Sequence, residues 1–469
     1  MNKKLLITIA TLLVALFAFT GCGGSQKWGP VQGANVNDAV VGNGGFLVEK
    51  GDYLYFINGG TDAAVNNTFG KPVHGALVVV NKNNLDEEAK VVVPKVMVAG
   101  DKTAGIYIFG EWIYYATPNS DKDKTGTVQT TYLDFCRTKL DGTKTEKAFH
   151  VSAAATVYRY VEINGTVYLV YYDSTNTEIV TYNFATGEKN TIAEKVTSYA
   201  FSKDENYPAV YYTKFVALDE ETNAVYNKVY KQSISGNDEA EVLSGVPTET
   251  DIAGSVYTIL RHENGMLVYT KKHADANATA MGYVLQDAKT EVGVNNEAKA
   301  VKVCSDTTNF NAGAIVLGVD ENGNSLGYIY IDSTEGLLKV VNGEFTRISN
   351  LKSGSLFFVK DNLLYYGAGT KLCSVDITKT NQGDKDVTVI TETYYSTTWY
   401  LPEFVGDKVF YGDKTDELYY VYYADITAEE IEGKFVGQYN QEAKDKIAEK
   451  EAEEALKNSV EPSTTVSAS

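Results

Sequence analysis

The chain has 469 residues, of which 61 are acidic and 42 basic, so its formal net charge is −19 at neutral pH. This charge argues against a nucleic-acid partner, and an anionic membrane surface would repel the domain. The 34 tyrosines and 8 prolines predict an all-β protein, because aromatic side chains suit the pleated, half-buried surface of a sheet.

Residues 1–21 predict a secretory signal. Two lysines precede an apolar run over residues 5–19, and small residues lead directly into Cys22. The run has fifteen residues, whereas a membrane-spanning helix needs ~20. The segment resembles a bacterial lipoprotein signal, although Phe19 stands where that family usually has an aliphatic residue. The resemblance implies lipidation of Cys22 and attachment to the extracytoplasmic face of the cell membrane through this lipid alone. Residues 22–43 are rich in Gly, Ser and Asn, which predicts a flexible tether.

A short phrase recurs along residues 44–432: a tight turn followed by an apolar, tyrosine-rich strand, as in "GEWIYYA" at 110–116. The landmark residues, four after each turn, are Tyr55, Tyr114, Tyr168, Tyr211, Val268, a weaker copy at Ile315, Tyr365 and Phe410. Their spacing of 43 to 59 residues is typical of propeller blades with four strands. We therefore predict a β-propeller over 44–432 with eight blades, or alternatively seven.

The blade phrases "GEWIYYA" (110–116), "DNLLYYG" (361–367) and "RTKLDG" (137–142) resemble those of secreted bacterial lipoproteins that carry a YWTD-like propeller, the type found in low-density-lipoprotein-receptor-related proteins. The resemblance implies a propeller on the cell surface. It implies no catalytic residue, because these domains share no agreed activity.

The sequence contains two weak matches to functional motifs. "GNSLG" at 323–327 fits a nucleophile elbow around Ser325, but a strand-like segment follows it and no histidine comes later, so a hairpin turn is the better interpretation. "DKDKTG" at 121–126 has the first half of a calcium loop but Tyr132 where a glutamate is needed, and "DENGN" at 320–324 fits less well. Both predict solvated loops.

Neither the histidines nor the cysteines have metal-ligand spacing. The histidines, which we interpret as isolated core or surface residues, are His74, His150, His262 and His273. Cys136, Cys304 and Cys373 lie in strand-like segments and are predicted to be buried free thiols, with one disulfide as the alternative. We predict no catalytic, cofactor-binding or metal-binding residue.

Function is therefore expected in the loops of the propeller. The longest insertions cover residues 59–75, 118–131 and 271–282. An aromatic set, which could stack on sugars but is better interpreted as core, comprises Trp112, Tyr394, Tyr395, Trp399 and Tyr400. Residues 433–469 predict a short solvated helix and a disordered tail, with a docking helix as the alternative.

The leading hypothesis is a binding module that recognises a protein, peptide or glycan outside the cell. The alternative is an extracytoplasmic polysaccharide hydrolase or lyase with carboxylates at the mouth of the channel. A scaffold for an envelope complex is a third hypothesis.

Overall fold

The computed structural model describes most of the chain from residue 30 to residue 437. The described residues are 30–59, 75–97, 105–119, 121, 124–127, 132–152, 157–202, 208–219, 224–236, 238–249, 252–275, 277–311, 313–394, 401–415, 418–437, 449 and 452. The predicted signal, residues 22–29 of the predicted tether and most of the C-terminal segment lie outside this set. Within 438–469 the described residues are Glu449 and Ala452, both helical and exposed.

The described residues form an all-β propeller of eight antiparallel sheets, as the repeat predicted. Strands follow one another in chain order within each sheet, from the innermost to the outermost. Blade 1 carries one additional short strand, and blade 4 carries an inserted hairpin.

The first four blades contain strands β1 to β19. They are β1 (Val40–Val41), β2 (Leu47–Lys50), β3 (Tyr53–Ile57), β4 (Leu77–Asn81) and β5 (Lys90–Val93) in blade 1; β6 (Tyr107–Phe109), β7 (Trp112–Pro118), β8 (Tyr132–Lys139) and β9 (Thr145–Ser152) in blade 2; β10 (Tyr158–Ile163), β11 (Thr166–Asp173), β12 (Glu178–Asn183) and β13 (Lys189–Ala193) in blade 3; and β14 (Val196–Phe201), β15 (Ala209–Lys214), the inserted β16 (Ala217–Asp219) and β17 (Ala224–Tyr226), β18 (Lys228–Ser233) and β19 (Ala240–Ser244) in blade 4.

The last four blades contain strands β20 to β35. They are β20 (Ser255–Glu263), β21 (Met266–His273), β22 (Met281–Gln286) and β23 (Val301–Cys304) in blade 5; β24 (Ile315–Val316), β25 (Tyr328–Asp332), β26 (Gly336–Val341) and β27 (Glu344–Ser349) in blade 6; β28 (Ser355–Lys360), β29 (Leu363–Ala368), β30 (Lys371–Asp376) and β31 (Thr388–Thr391) in blade 7; and β32 (Glu403–Val405), β33 (Lys408–Thr415), β34 (Leu418–Asp425) and β35 (Lys434–Phe435) in blade 8. Single turns of 3-10 helix cover Asp287–Lys289, Glu297–Lys299 and Asp384–Asp386.

The recurring phrase is the turn between the first two strands of a blade, followed by the second strand. Its turn residues adopt left-handed backbone conformations, with φ of 57° at Gly110, 51° at Asn164 and 50° at Asp361. Glycine and asparagine tolerate this conformation, and it matches the twist of a two-residue hairpin. In "GEWIYYA", Tyr114 packs toward blade 3 and Tyr115 toward blade 1. The repeated strand therefore supplies the apolar filling between neighbouring blades.

One predicted landmark, in blade 6, is wrong. The repeat predicts Ile315 in the strand that follows the turn, which is the second strand of a blade. Ile315 instead lies in β24, the first strand, and the second strand is β25. A long connection over residues 317–327 separates the two strands, so the usual two-residue turn is missing. This insertion explains why the sixth copy of the phrase is weak in the sequence.

The ring closes by packing of blade 8 against blade 1. Phe410 and Val421 of blade 8 share a core cluster with Leu47 and Phe56 of blade 1, which lie on the same face of their sheet. The backbone N–H of Gly437 donates to the carbonyl of Leu85, at 2.8 Å. All four strands of the blade 8 sheet come from residues 403–435, so closure exchanges no strand between the described ends of the chain.

The two ends of the ring differ in the connections that they carry. We call the end with the turns between the first and second and between the third and fourth strands the turn face. The opposite end, with the loops between the second and third strands and the connections between blades, is the loop face. Residues 30–39 cross the turn face. The backbone N–H of Val31 donates a hydrogen bond to the carbonyl of Asp141 at 3.0 Å, and Lys50 Nζ donates to the carbonyls of Val36 and Asp38.

Candidate functional site

Cys22, the predicted lipidation site, lies outside the described residues. Ser325 follows a tight turn over residues 320–324 and closes a short hairpin, in agreement with the predicted hairpin turn. It forms an isolated bridge with Val319, its Oγ accepts a hydrogen bond from the N–H of Gly327 at 3.0 Å, and strand β25 follows. The motif therefore lacks the helix that a nucleophile elbow requires.

In the two calcium-like loops, the described carboxylates form an ion pair or hydrogen bonds with other groups of the protein. Asp121 Oδ2 lies 3.0 Å from Lys147 Nζ, whereas Asp123 lies outside the described residues. Asp320 accepts hydrogen bonds from the backbone N–H groups of Asn322 and Asn324 at 2.9 and 2.7 Å. Across the described part of the chain, no group of three or more His, Cys, Asp or Glu side chains could hold a metal ion.

One histidine belongs to a buried polar cluster between blades 4 and 5. Nε2 of His262 lies 2.8 Å from Asp287 Oδ2, and the Tyr211 hydroxyl donates to Asp287 Oδ1. Burial alone would raise the pKa of Asp287, but the hydrogen bonds from His262 and Tyr211 outweigh it and hold this pKa below its usual value. All three residues are buried. The cluster therefore links two blades and is closed to a substrate.

The three described cysteines are free and buried, as predicted. Burial raises the pKa of Cys136 to about 12 and also raises the pKa of Cys304 and of Cys373. A thiol with a raised pKa is a poor nucleophile and a poor metal ligand. These cysteines consequently contribute to packing.

A carboxyl group with a raised pKa lies where blade 8 meets blade 1, on the innermost strand of blade 8. Glu403, the first residue of β32, accepts a hydrogen bond from the N–H of Phe46 at 2.8 Å. Burial raises its pKa to about 8, although the N–H groups of Phe46 and Leu47 favour the charged form. A Cβ at Gly45 would collide with this carboxyl group. Glycosidic cleavage needs a pair of carboxyl groups. Among the described residues, the groups that form hydrogen bonds with Glu403 are backbone N–H groups and not a second carboxyl group.

The predicted insertions share one end of the propeller. Residues 59–75, 118–131 and 271–282 cover the connections between the second and third strands of blades 1, 2 and 5, so these connections belong to the loop face. Pro118 still belongs to β7, residues 271–273 belong to β21, and residues 281–282 belong to β22. Most residues of the first two, including 60–74 and 128–131, lie outside the described set. A further departure from the blade pattern lies on the same face, in blade 4.

This departure is the hairpin of β16 and β17, inserted between the second and third strands of blade 4. Its strand β17 lies beside the connection to blade 5, because the N–H of Val225 donates to Ala253 O at 3.3 Å. Tyr226 and Pro247 flank Gly254, whose φ of 78° directs this connection. The hairpin and the connection therefore form one surface.

That surface exposes large apolar side chains. The exposed fractions are 75% for Phe215, 62% for Leu218, 71% for Ile252 and 38% for Val246. Single exposed apolar residues are ordinary, whereas four of them on two adjoining segments of one face favour an interaction site. We call these four residues the blade 4 patch.

Sequence reasoning missed the blade 4 patch. A signal was present, because the landmarks Tyr211 and Val268 are 57 residues apart, whereas the preceding pair is 43 apart. The extra length comes from residues 215–227, which carry alternating apolar positions on either side of a polar turn.

The aromatic set fills the core where it is described. Tyr394 is buried against Phe357, and Trp112 packs under the guanidinium of Arg137, 4.4 Å from the ring centroid. Tyr395, Trp399 and Tyr400 lie outside the described residues. Among the helices of the described part, none has the length and apolar character to cross a membrane.

No protein-family model and no curated protein matches the sequence. Solved structures match at the level of the fold. A prolyl endopeptidase is 10% identical, with a TM-score of 0.41, over 82% of this chain and 54% of the other, so this chain spans about half of its length. An oligogalacturonate lyase from Vibrio parahaemolyticus is 11% identical, with a TM-score of 0.41, over 83% of this chain and 98% of the lyase. A puromycin-hydrolysing peptidase from Mycobacterium tuberculosis is 12% identical, with a TM-score of 0.39, over 88% of this chain and 56% of the peptidase.

Proposed function

We propose that the chain is a lipid-anchored, extracytoplasmic binding module that recognises a protein or peptide segment through its loop face. The observation that carries the proposal is the blade 4 patch. It exposes four apolar side chains at the place where one blade departs from the repeated pattern. Exposed apolar side chains that are grouped on one surface favour an interaction site.

The course of the N-terminal segment supports this orientation. Residues 30–39 lie across the turn face and are bonded there to Asp141 and Lys50. A lipid on Cys22, connected through the tether, would hold the turn face toward the membrane. The loop face with the blade 4 patch would then point away from the membrane, where a partner can reach it.

Charge defines the class of partner. Residues 216–226 contain three acidic and no basic residues, and the connection 245–254 contains Glu249 and Asp251 and no basic residue. An apolar patch carried by segments whose charged residues are all acidic suits a partner that combines aromatic or aliphatic side chains with Lys or Arg. The lipoprotein assignment and the YWTD-like character of the blades are part of the proposal and rest on the sequence motifs.

The test is selection of a phage-displayed peptide library on the purified protein, followed by titration of the selected peptides. We expect peptides with apolar and basic residues, and we expect Phe215→Ser with Leu218→Ser to weaken their binding by about 100-fold, roughly tenfold for each lost apolar anchor. Added salt should weaken binding as well.

Phe345→Ser is the matched control, because Phe345 is 63% exposed but lies next to a turn of blade 6 on the turn face. This variant should bind as the unchanged protein does. Selected peptides that bind the double variant with unchanged affinity, or a selection that yields no binder, would refute the proposal.

A further inference from the structure

A polar cleft opens between blades 3 and 4, toward the turn face and far from the channel. Its volume is about 170 Å³. Strands β11, β12 and β13 form one wall with Tyr168, Thr181 and Asn190, and the turn after β18 forms the other wall with Ser235. Sites for drug-sized ligands begin at about 300 Å³, so this cleft has the size for one small polar unit.

The polar groups at the base of the cleft are held in place before any ligand arrives. Asn183 Oδ1 accepts hydrogen bonds from the N–H groups of Ala185 and Thr186, at 2.8 and 3.2 Å. Its Nδ2 donates to the Tyr168 hydroxyl at 3.3 Å. Because Tyr168 accepts this bond, its own proton can be donated into the cleft. Such preorganisation lowers the entropic cost of binding.

Other groups in the cleft have hydrogen-bonding capacity to spare. The Asn190 side chain is exposed and makes no hydrogen bond to any described residue. It offers one acceptor and two donors. The Thr181 hydroxyl donates to the carbonyl of Asn190 at 3.4 Å, and the Ser235 hydroxyl pairs with that of Ser233 at 3.1 Å, so each hydroxyl keeps capacity as an acceptor. This mixture of donors and acceptors is complementary to the hydroxyl groups of a sugar.

The charge of the cleft excludes other classes of ligand. Glu188 is the single charged residue in its lining. Without a lysine, arginine or histidine, the lining has no partner for a carboxylate or phosphate ligand, and Glu188 would repel one.

We propose that this cleft binds one unit of a neutral saccharide. Tyr168 offers its hydroxyl as a donor, and Asn190 supplies the amide that contacts the hydroxyl groups of the sugar ring. This site is separate from the blade 4 patch, because the two lie toward opposite faces of the propeller.

Saturation-transfer NMR on the purified full chain tests the proposal. The probes are glucose, galactose, mannose and N-acetylglucosamine with their disaccharides, and glucuronate and galacturonate are the charged comparators. We expect transfer to at least one neutral sugar, and at least a tenfold loss of affinity for it in Asn190→Ala and in Tyr168→Phe.

Thr191→Ala is the matched control, because Thr191 is exposed on the same strand but is absent from the cleft lining. It should retain binding, as should the Phe215→Ser and Leu218→Ser double variant, which separates this site from the blade 4 patch. Unchanged melting temperatures show that the variants fold. The proposal is overturned if no neutral sugar binds, if a uronate binds more tightly, or if Asn190→Ala binds like the unchanged protein.

Discussion

Replacing Glu403 by glutamine should make the closed ring less sensitive to alkaline pH. The carboxyl group lies against the backbone of blade 1, and burial raises its pKa from 4.5 to about 8. The folded protein therefore holds a proton that the unfolded chain releases. The stabilisation is complete below pH 4.5 and is lost as the pH rises through about 8.

The size of the effect follows from the shift. A difference of roughly 3.5 pH units, at about 1.4 kcal/mol per unit, corresponds to about 5 kcal/mol. The side chain keeps partial contact with solvent, so we expect roughly half of this value. Glutamine keeps an oxygen that accepts the N–H of Phe46 and does not titrate. The variant should gain about 2 to 3 kcal/mol over the unchanged protein at alkaline pH.

Urea unfolding of residues 30–469 near pH 5 and near pH 9 measures this effect. Comparing the variant with the unchanged protein at each pH cancels the contributions of all other groups, provided that they act independently. Glu430→Gln, at an exposed position of blade 8, is the control and should follow the unchanged protein. If Glu403→Gln and the unchanged protein lose equal stability between the two pH values, the assignment of the raised pKa to Glu403 is wrong.

Two further predictions concern buried groups. Asp287→Ala should destabilise the protein by about 2 to 4 kcal/mol, because it leaves the buried Tyr211 and His262 without their shared acceptor; thermal unfolding measures this loss, and Asp384→Ala at an exposed position should have little effect. The thiols of residues 30–469 should react with a thiol reagent only after denaturation, when all three become accessible; reaction of any of them within minutes in the native protein would contradict their burial.

The sequence predicted the blade architecture well because the information is local. A turn such as Asn164-Gly165 and the strand that follows it are specified within about ten residues, and the repeat converts this local pattern into a ring. The count of eight also follows from the repeat. Only blade 6, where an insertion replaces the turn, gave a misplaced landmark.

The polar contacts between blades were beyond such reasoning. Glu403 and Phe46 are 357 residues apart in the chain, and Tyr211 and Asp287 are 76 apart. No periodic pattern connects them, since their proximity depends on the closure of the ring and on the stacking of blades 4 and 5. The blade 4 patch was missed for a different reason, because an inserted hairpin looks like part of a long repeat.

Closure without strand exchange has a consequence for the timing of folding. During synthesis, blade 1 emerges first, and its face with Leu47 and Phe56 stays uncovered until Phe410 and Val421 of blade 8 arrive. Blades 2 to 7 can each pack on a preceding neighbour, but this face must wait for the last strands of the ring. A chain that crosses a membrane before folding avoids the delay, because all eight blades are then available together.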